Sequence, residues 1–492
     1  MSRWLLAVLL LAAGLWLNTR NNRFPYYYHP DEEKKVEQIL TGERNFNHPL
    51  LMLSTVDAVW KISGEPAEPQ RVVNLGRWVS AIFASLGTMF FAMAAWSWRG
   101  GLAGVLTGVL LTLNHQVFEL AHYMKEDPAL YLGVGMFAWM VILYWQKPGA
   151  IRALTLGAAV GLAFSGKYLG IILLIPAVAL IVSQAKSKKM REIAWLFFGL
   201  VLIFSAINFP LFANIDTFQT SFSKEMDWAL KGQKELTRRV PHSIYLNIFV
   251  RNTTPVIWIL LGLFLYQLWQ QRKTKDLLAW CLLGTLFGWL LLLSFSPKTN
   301  DRYFLPLTGL VYLLTGAGAV SFYKQGWFCT RTRVAFLAIL FASGAAWDGA
   351  RTMRFAEAFS RDDRADLTAW IIGNIPATET IAYDARVNLP DEEEHHELAN
   401  PLPHRLFRET FVADIGTRNE LLGKGVNYVI ISESSYGRFF LDSLRPKAGQ
   451  DLDFERRAAF YRELKTQQPI WKRDRSEVLY LHPGLEVYAL AR

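Results

Sequence analysis

The sequence predicts a polytopic α-helical membrane protein of about eleven spans, followed by a single α/β domain. Three observations point there. Of the 492 residues, 52% are hydrophobic and only 19% charged, where an average soluble protein has about 25% charged residues. The apolar residues fall in blocks up to Trp347, most near the roughly 20 residues that cross a hydrocarbon core. From 348 to 492 the mixture is that of an ordinary globular domain.

The blocks place spans at 3–18, 76–98, 101–122, 128–146, 153–165, 168–184, 193–213, 254–270, 277–296, 304–322 and 334–347. The first, RWLLAVLLLAAGLWLN, is followed by TRNNRFPYYY rather than a small-residue cleavage site, so it reads as a retained span with its N-terminus inside. Alternation then puts Arg3, Arg99, Lys147, Arg152, Lys186, Lys188, Lys189, Arg191, Arg272, Lys273, Lys275, Lys324, Arg331 and Arg333 at inner ends. The short outer loops keep few cations: Lys125, Lys167, Lys298 and Arg302. This asymmetry is the positive-inside pattern, and it accounts for the net charge of +10 without nucleic acid, for which there is no motif. Two cysteines, Cys281 and Cys329, give no disulfide framework. In the tail, 363–373 and 453–465 read as helices, and 379–384, 427–432 and 477–489 as strands. The predicted division is 1–347 for the membrane domain and 348–492 for the soluble one.

With sides assigned, nearly all the candidate chemistry falls on the outer face. HPDEE at 29–33 begins an amphipathic helix whose apolar face is Val36, Ile39 and Leu40. Acids in a first turn suit the helix dipole; a carboxylate held there near the bilayer also suits a general base. MKEDP at 124–128 looks like an N-cap and first-turn proline. Capping explains Asp127 but not Lys125, which beside a helix N-terminus makes an anion site. SPKTNDRYFLP at 297–306 places Lys298 and Arg302 in one short outer loop, where a guanidinium fork suits phosphate. Tyr303 fits an interfacial belt, and Lys167 in SGKY a loop anchor. The run DEEEHHE at 391–397 is a solvated acidic loop rather than a metal site, because adjacent histidines diverge. Span centres are nearly free of charge, with His115 and Glu119 in the outer half of theirs. That argues against a proton-coupled transporter.

YHPDE with the later NFNHPLL, then YMKEDPALYL, GLAFSGKYLGIILLIPA and SPKTNDRYFLPL, taken together in order and sidedness, resemble the polyprenyl-phosphate-sugar-dependent glycosyltransferases of the GT-C fold. The resemblance is to the protein O-mannosyltransferase-like family 39 and the lipid A aminoarabinose transferases, over about residues 25–310. It implies transfer of a sugar from a polyprenyl phosphate to a hydroxyl of a protein, lipid or glycan on the extracytoplasmic face of a bacterial-type membrane. It gives Asp31 the catalytic role of binding or deprotonating the acceptor, with Glu32 beside it, and Lys125 and Arg302 the lipid phosphate. Asp127, Tyr303, His48, Lys167 and Lys298 stand in the matched motifs as substrate-binding candidates. Glu126 and Asp127 leave a divalent metal open as a cofactor. The alternative is a multispan transporter or flippase of a lipid-linked or anionic substrate.

Overall fold

The computed structural model describes residues 2–184, 188–231, 236–238, 244–270, 276–296, 300–324, 329–391, 400–441, 444–446 and 449–490. The chain forms two compact units. The first comprises Met1–Asn22, Asp31–Lys231 and Val240–Met353; the second comprises Arg23–Pro30, Gly232–Arg239 and Arg354–Arg492.

The first unit is built from α1 (Arg3–Asn18), α2 (Pro30–Thr41), α3 (Leu51–Ser63), α4 (Pro69–Arg99), α5 (Gly101–Thr112), α6 (His115–Ala121), α7 (Glu126–Gln146), α8 (Ala150–Gly166), α9 (Leu174–Gln184), α10 (Lys189–Ile207), α11 (Phe209–Ala213), α12 (Ile215–Lys231), α13 (Ile244–Asn252), α14 (Pro255–Gln270), α15 (Leu277–Phe295), α16 (Leu305–Lys324) and α17 (Thr330–Ala358). Among the described residues, six helices are long and apolar enough to cross a membrane, or eight if two bent pairs each count as one span. Arg3–Asn18, Ala150–Gly166 and Tyr168–Gln184 are apolar but shorter. The expected span 101–122 is thus two helices bent by 56°, and 254–270 follows α13 at a 117° bend. At the first break Asn114 accepts from the Gln116 and Val117 N–H groups, capping α6. The expected loop 214–253 contains helices α12 and α13.

Exposure separates core from periphery. The apolar stretch of α16 is 94% buried, and Leu310, Tyr312, Leu313 and Leu314 stand in a core shared with α4, α5, α7 and α8. The stretch of α10 is only 22% buried and presents Phe197, Phe198, Val201 and Leu202 outward. A helix that apolar and that exposed suits hydrocarbon, not water. Small residues bring α7 and α8 together: a Cβ on Gly166 would lie 2.6 Å from the Leu130 nitrogen, and one on Gly133 would lie 2.4 Å from the Ala163 Cα. Backbones in contact are how membrane helices pack where no hydrophobic effect drives them together. The contact also sets the residue after α8, Lys167, beside the first turn of α7.

In the second unit β1 (Leu236–Arg238) pairs with β5 (Leu444–Pro446). The main sheet has the order β3-β2-β4-β7-β6, from β2 (Thr380–Asp384), β3 (Arg405–Glu409), β4 (Val426–Ser432), β6 (Trp471–Arg473) and β7 (Leu485–Ala489). β2 runs parallel to β3 and β4, whereas β7 is antiparallel to β4 and β6. α18 (Asp363–Asn374) and α19 (Asp451–Leu464) fall where the pattern predicts helices. The predicted strand 477–489 is shorter, because Gly484 takes φ +71° and the residues before it turn. β3 and β6 are strands the pattern does not announce. They are the two edges, and their Arg, Lys and Glu side chains are what edge strands carry against pairing with another chain. Helix α17 runs unbroken across the expected boundary at 347/348, and the units divide after Met353.

Candidate active site

Four elements of the first unit converge on one charged cluster. Pro30 starts α2, which leaves Asp31, Glu32 and Glu33 in its first turn. Val36 and Ile39 are buried beneath, which fixes the helix as the apolar pattern predicts. Lys125 is the N-cap of α7, with Glu126 and Asp127 in the first turn. Lys167 caps the C-terminus of α8. Arg302 lies in a 3-10 turn, Asp301–Phe304, whose start is capped by the Asn300 side chain accepting from the Arg302 N–H at 3.1 Å. Gln116 braces that turn, donating to the Asp301 carbonyl at 2.8 Å and accepting from the Thr308 hydroxyl at 2.7 Å.

The cations meet the acids in fixed pairs. Lys125 Nζ and Arg302 Nη1 both reach Asp31 Oδ2, at 3.2 and 3.1 Å. Lys35, one turn along α2 from Asp31, pairs with Glu126 at 3.1 Å. Lys167 donates to Asp127 Oδ1 at 2.5 Å, and its ammonium lies 4.8 Å from the centre of the Tyr303 ring. Asp127 Oδ2 is buried without a hydrogen-bond partner. Tyr168, after Lys167, donates to the Phe46 carbonyl at 2.9 Å, holding the NFNHPLL stretch that contains His48. Burial pushes the His48 imidazole below its usual pKa; Lys167 and Lys35 add to the fall, while Glu126 and Glu225 oppose it. Burial lowers Lys125 to about 8, Arg302 adds to the fall, and Asp31 and Asp127 oppose it.

Exposure distinguishes the acids. The side chain of Asp31 is 43% exposed, those of Glu126 and Asp127 are 6% and 3%, and that of Glu32 is 0%. Glu32, expected beside Asp31 as a catalytic acid, is fully engaged instead. Arg77 grips it with Nε and Nη2 at 3.0 and 2.7 Å, and Glu32 Oε1 also accepts from the Met124 N–H at 2.7 Å. Its geometry makes it a strut that ties α2 to the residue preceding Lys125.

The structure therefore brings together Asp31, Lys125, Arg302, Asp127, Lys167, Tyr303 and His48 from the sequence-predicted set. Lys298 and the His395–His396 pair lie outside the described residues. Arg77, Lys35, Gln116 and Tyr168 were missed. Only Lys35 carried a usable signal, its i,i+4 spacing from Asp31. As for a metal, Glu126 and Asp127 each hold a lysine already, and no group of three potential ligands occurs among the described residues.

Residues 47–210, from within the NFNHPLL stretch to the start of α11, match the model of a family described as dolichyl-phosphate-mannose-protein mannosyltransferase. No curated protein sequence matches the chain. Among solved structures, ArnT from Cupriavidus metallidurans, crystallised with undecaprenyl phosphate, superposes with a TM-score of 0.53 at 16% identity, over 89% of this chain and 94% of that one. The archaeal oligosaccharyltransferase AglB from Archaeoglobus fulgidus, in complex with an inhibitory peptide and a dolichol-phosphate, gives 0.51 at 10% identity, over 89% of this chain and 70% of that one.

The chain carries the GT-C glycosyltransferase fold. Within this GT-C fold the matched segment supplies Lys125, Glu126, Asp127, Lys167 and His48, whereas Asp31 and Arg302 lie to either side of it.

Proposed function

We propose that the chain transfers a sugar from a polyprenyl-phosphate donor to an acceptor hydroxyl, with inversion, on the extracytoplasmic side of a membrane. The observation that carries this reading is the exposure contrast: of the described acids paired with Lys35, Lys125, Lys167 or Arg302, only Asp31 is open enough to meet an acceptor, and it shares one oxygen between two cations. The GT-C fold and the lipid phosphate in the ArnT structure support the class of donor. The transporter alternative is not favoured, since the fold is that of glycosyltransferases.

In this mechanism the donor phosphate draws Lys125 and Arg302 away from Asp31. The freed carboxylate then takes the acceptor's proton as the hydroxyl attacks the anomeric carbon. The bond from that carbon to the phosphate oxygen breaks as the new one forms, and the two cations receive the charge that develops on the leaving phosphate. The pairs Lys35–Glu126 and Lys167–Asp127 hold the loops and give up no proton.

The test is transfer from polyprenyl-phosphate-linked sugars by the purified full chain. Lys125→Ala or Arg302→Ala should weaken undecaprenyl phosphate binding by roughly 10- to 150-fold, the equivalent of one charged hydrogen bond. The cationic form of Lys125 binds the phosphate, so affinity should be full below about pH 8 and fall as pH rises through it. Lys125→Arg, which keeps its charge, should remove that fall. Unchanged affinity in both alanine variants sinks the assignment.

The sidedness has its own test. A single cysteine placed at Asn400, in the second unit, should react with a membrane-impermeant thiol reagent in outer-permeabilised cells, in a background lacking Cys281 and Cys329. Reaction only after lysis would reverse the orientation.

A further inference from the structure

The second unit contains eight residues from far upstream, Arg23–Pro30, and the three tyrosines of that segment, Tyr26, Tyr27 and Tyr28, are buried. Residues flanking the sheet's strands and helices hold them by several independent contacts. Tyr28 donates to both carboxylate oxygens of Asp362, at 3.1 and 3.0 Å, and Asp362 in turn caps α18. The Arg364 guanidinium lies 4.6 Å from the centre of the Tyr28 ring and is anchored by the carbonyls of Tyr480 and Arg386. Asn388 Nδ2 donates to the carbonyls of Tyr27 and Tyr28 at 3.2 and 3.3 Å. The buried His29 ring lies 3.8 Å from that of Tyr480, and Phe24 packs against Phe359.

Their place in the sheet gives these contacts a meaning. Asn388 follows the C-terminal end of β2, and Arg364 opens the helix that leads into β2. β2 has β3 on one side and β4 on the other, both parallel to it, so the chain order reverses there. The crevice outside the carboxyl ends of such strands is where open α/β sheets bind ligands. Here it receives a peptide of the same chain. Asn388 adopts φ 52°, a left-handed conformation that asparagine tolerates better than most residues, and this directs its amide to two consecutive carbonyls.

The residue after this segment is Asp31. We infer that the second unit uses its ligand edge to clamp Tyr27–Pro30 and so sets the start of α2, making Tyr28, Asn388 and Arg364 positioning residues for Asp31. The inference rests on the proposed role of Asp31 as base. Pro30 is the last residue of the clamped segment and the first of α2, so a shift in the clamp passes to Asp31 through one rigid peptide unit.

The test uses the full chain in detergent. The variant Tyr28→Phe/Asn388→Ala should speed amide hydrogen exchange at Lys34, Lys35 and Val36, whose N–H groups close the first turn of α2, by about tenfold. Exchange in β2 and β4 should stay at the wild-type rate. Turnover should fall by a similar factor, with the affinity for undecaprenyl phosphate unchanged because Lys125 and Arg302 are untouched. Unaltered α2 exchange overturns the clamp, and so does faster exchange with normal turnover. Should β2 and β4 also exchange faster, Tyr28→Phe alone, which keeps the ring, decides by the same two criteria. An active Asp31→Asn enzyme would remove the reading beneath the inference without touching the exchange result.

Discussion

Asp31→Asn is expected to lower turnover by about 10²–10⁴ while the protein folds and still binds undecaprenyl phosphate. The amide keeps the shape of the carboxylate and most of its hydrogen bonding, but it cannot take a proton. A second consequence separates this from a general loss of structure. Asp31 Oδ2 competes with a donor phosphate for Lys125 and Arg302, so removing its charge should leave lipid phosphate affinity equal to the wild type or tighter. If the acid only complements the dipole of α2, the effect should be about 0.3–1 kcal/mol of stability with turnover intact. Steady-state transfer and a lipid phosphate binding isotherm on the same preparation distinguish the two outcomes. Glu33→Gln, on the same turn, should change turnover far less.

Arg77→Met should destabilise the protein by about 3–5 kcal/mol, because it leaves the carboxylate of Glu32 buried without a counter-charge. Both side chains are fully buried. The same guanidinium donates to the Asn22 carbonyl at 3.1 Å, so the substitution also releases the chain on the other side of the Arg23–Pro30 segment. Arg77→Lys should restore only part of the loss, since an ammonium cannot make the paired bonds to Glu32. The double variant Arg77→Met/Glu32→Gln should recover much of it: no lone charge remains, and the amide oxygen can still accept from the Met124 N–H. Thermal unfolding in detergent of the three variants measures the series. A stable Arg77→Met protein would show that Glu32 finds another partner and that the strut is dispensable.

These residues show where sequence reasoning reached and where it stopped. Six to eight of the eleven expected spans were legible among the described residues, because hydrocarbon demands composition, and composition is local. The break in 101–122 was not, since LTLNHQVFEL is apolar enough to pass as continuous; Asn114 was the available cap signal. Asp31, Lys125, Asp127 and Arg302 could be singled out because they are charges on a face that should hold few. Their partners could not. Which lysine neutralises which acid depends on how α2, α7 and α8 pack, and Glu126 and Lys35 lie far apart in the chain. Arg77 was hidden for a different reason: one cation near the start of an apolar run looks like an interface anchor. Glu32 stands next to Asp31 in the chain, but consecutive side chains of a helix point about 100° apart, and that of Glu32 turns to Arg77. The central strands β2 and β4 were visible as apolar runs, whereas edge strands with charged faces were not.

The glycine contact between α7 and α8 has an electrical consequence. By drawing Lys167 against Asp127 it completes a set of seven charges, four positive (Lys35, Lys125, Lys167, Arg302) and three negative (Asp31, Glu126, Asp127). The set carries one positive charge in excess of electroneutrality. A phosphodiester, with a single negative charge, balances it. A phosphomonoester carries about 1.5 to 2 near neutral pH, so cleavage of the donor converts a matched ligand into one with surplus charge in the same enclosure. In the proposed reaction the spent carrier would then leave most readily by taking up a proton, which restores the charge match it had as a diester.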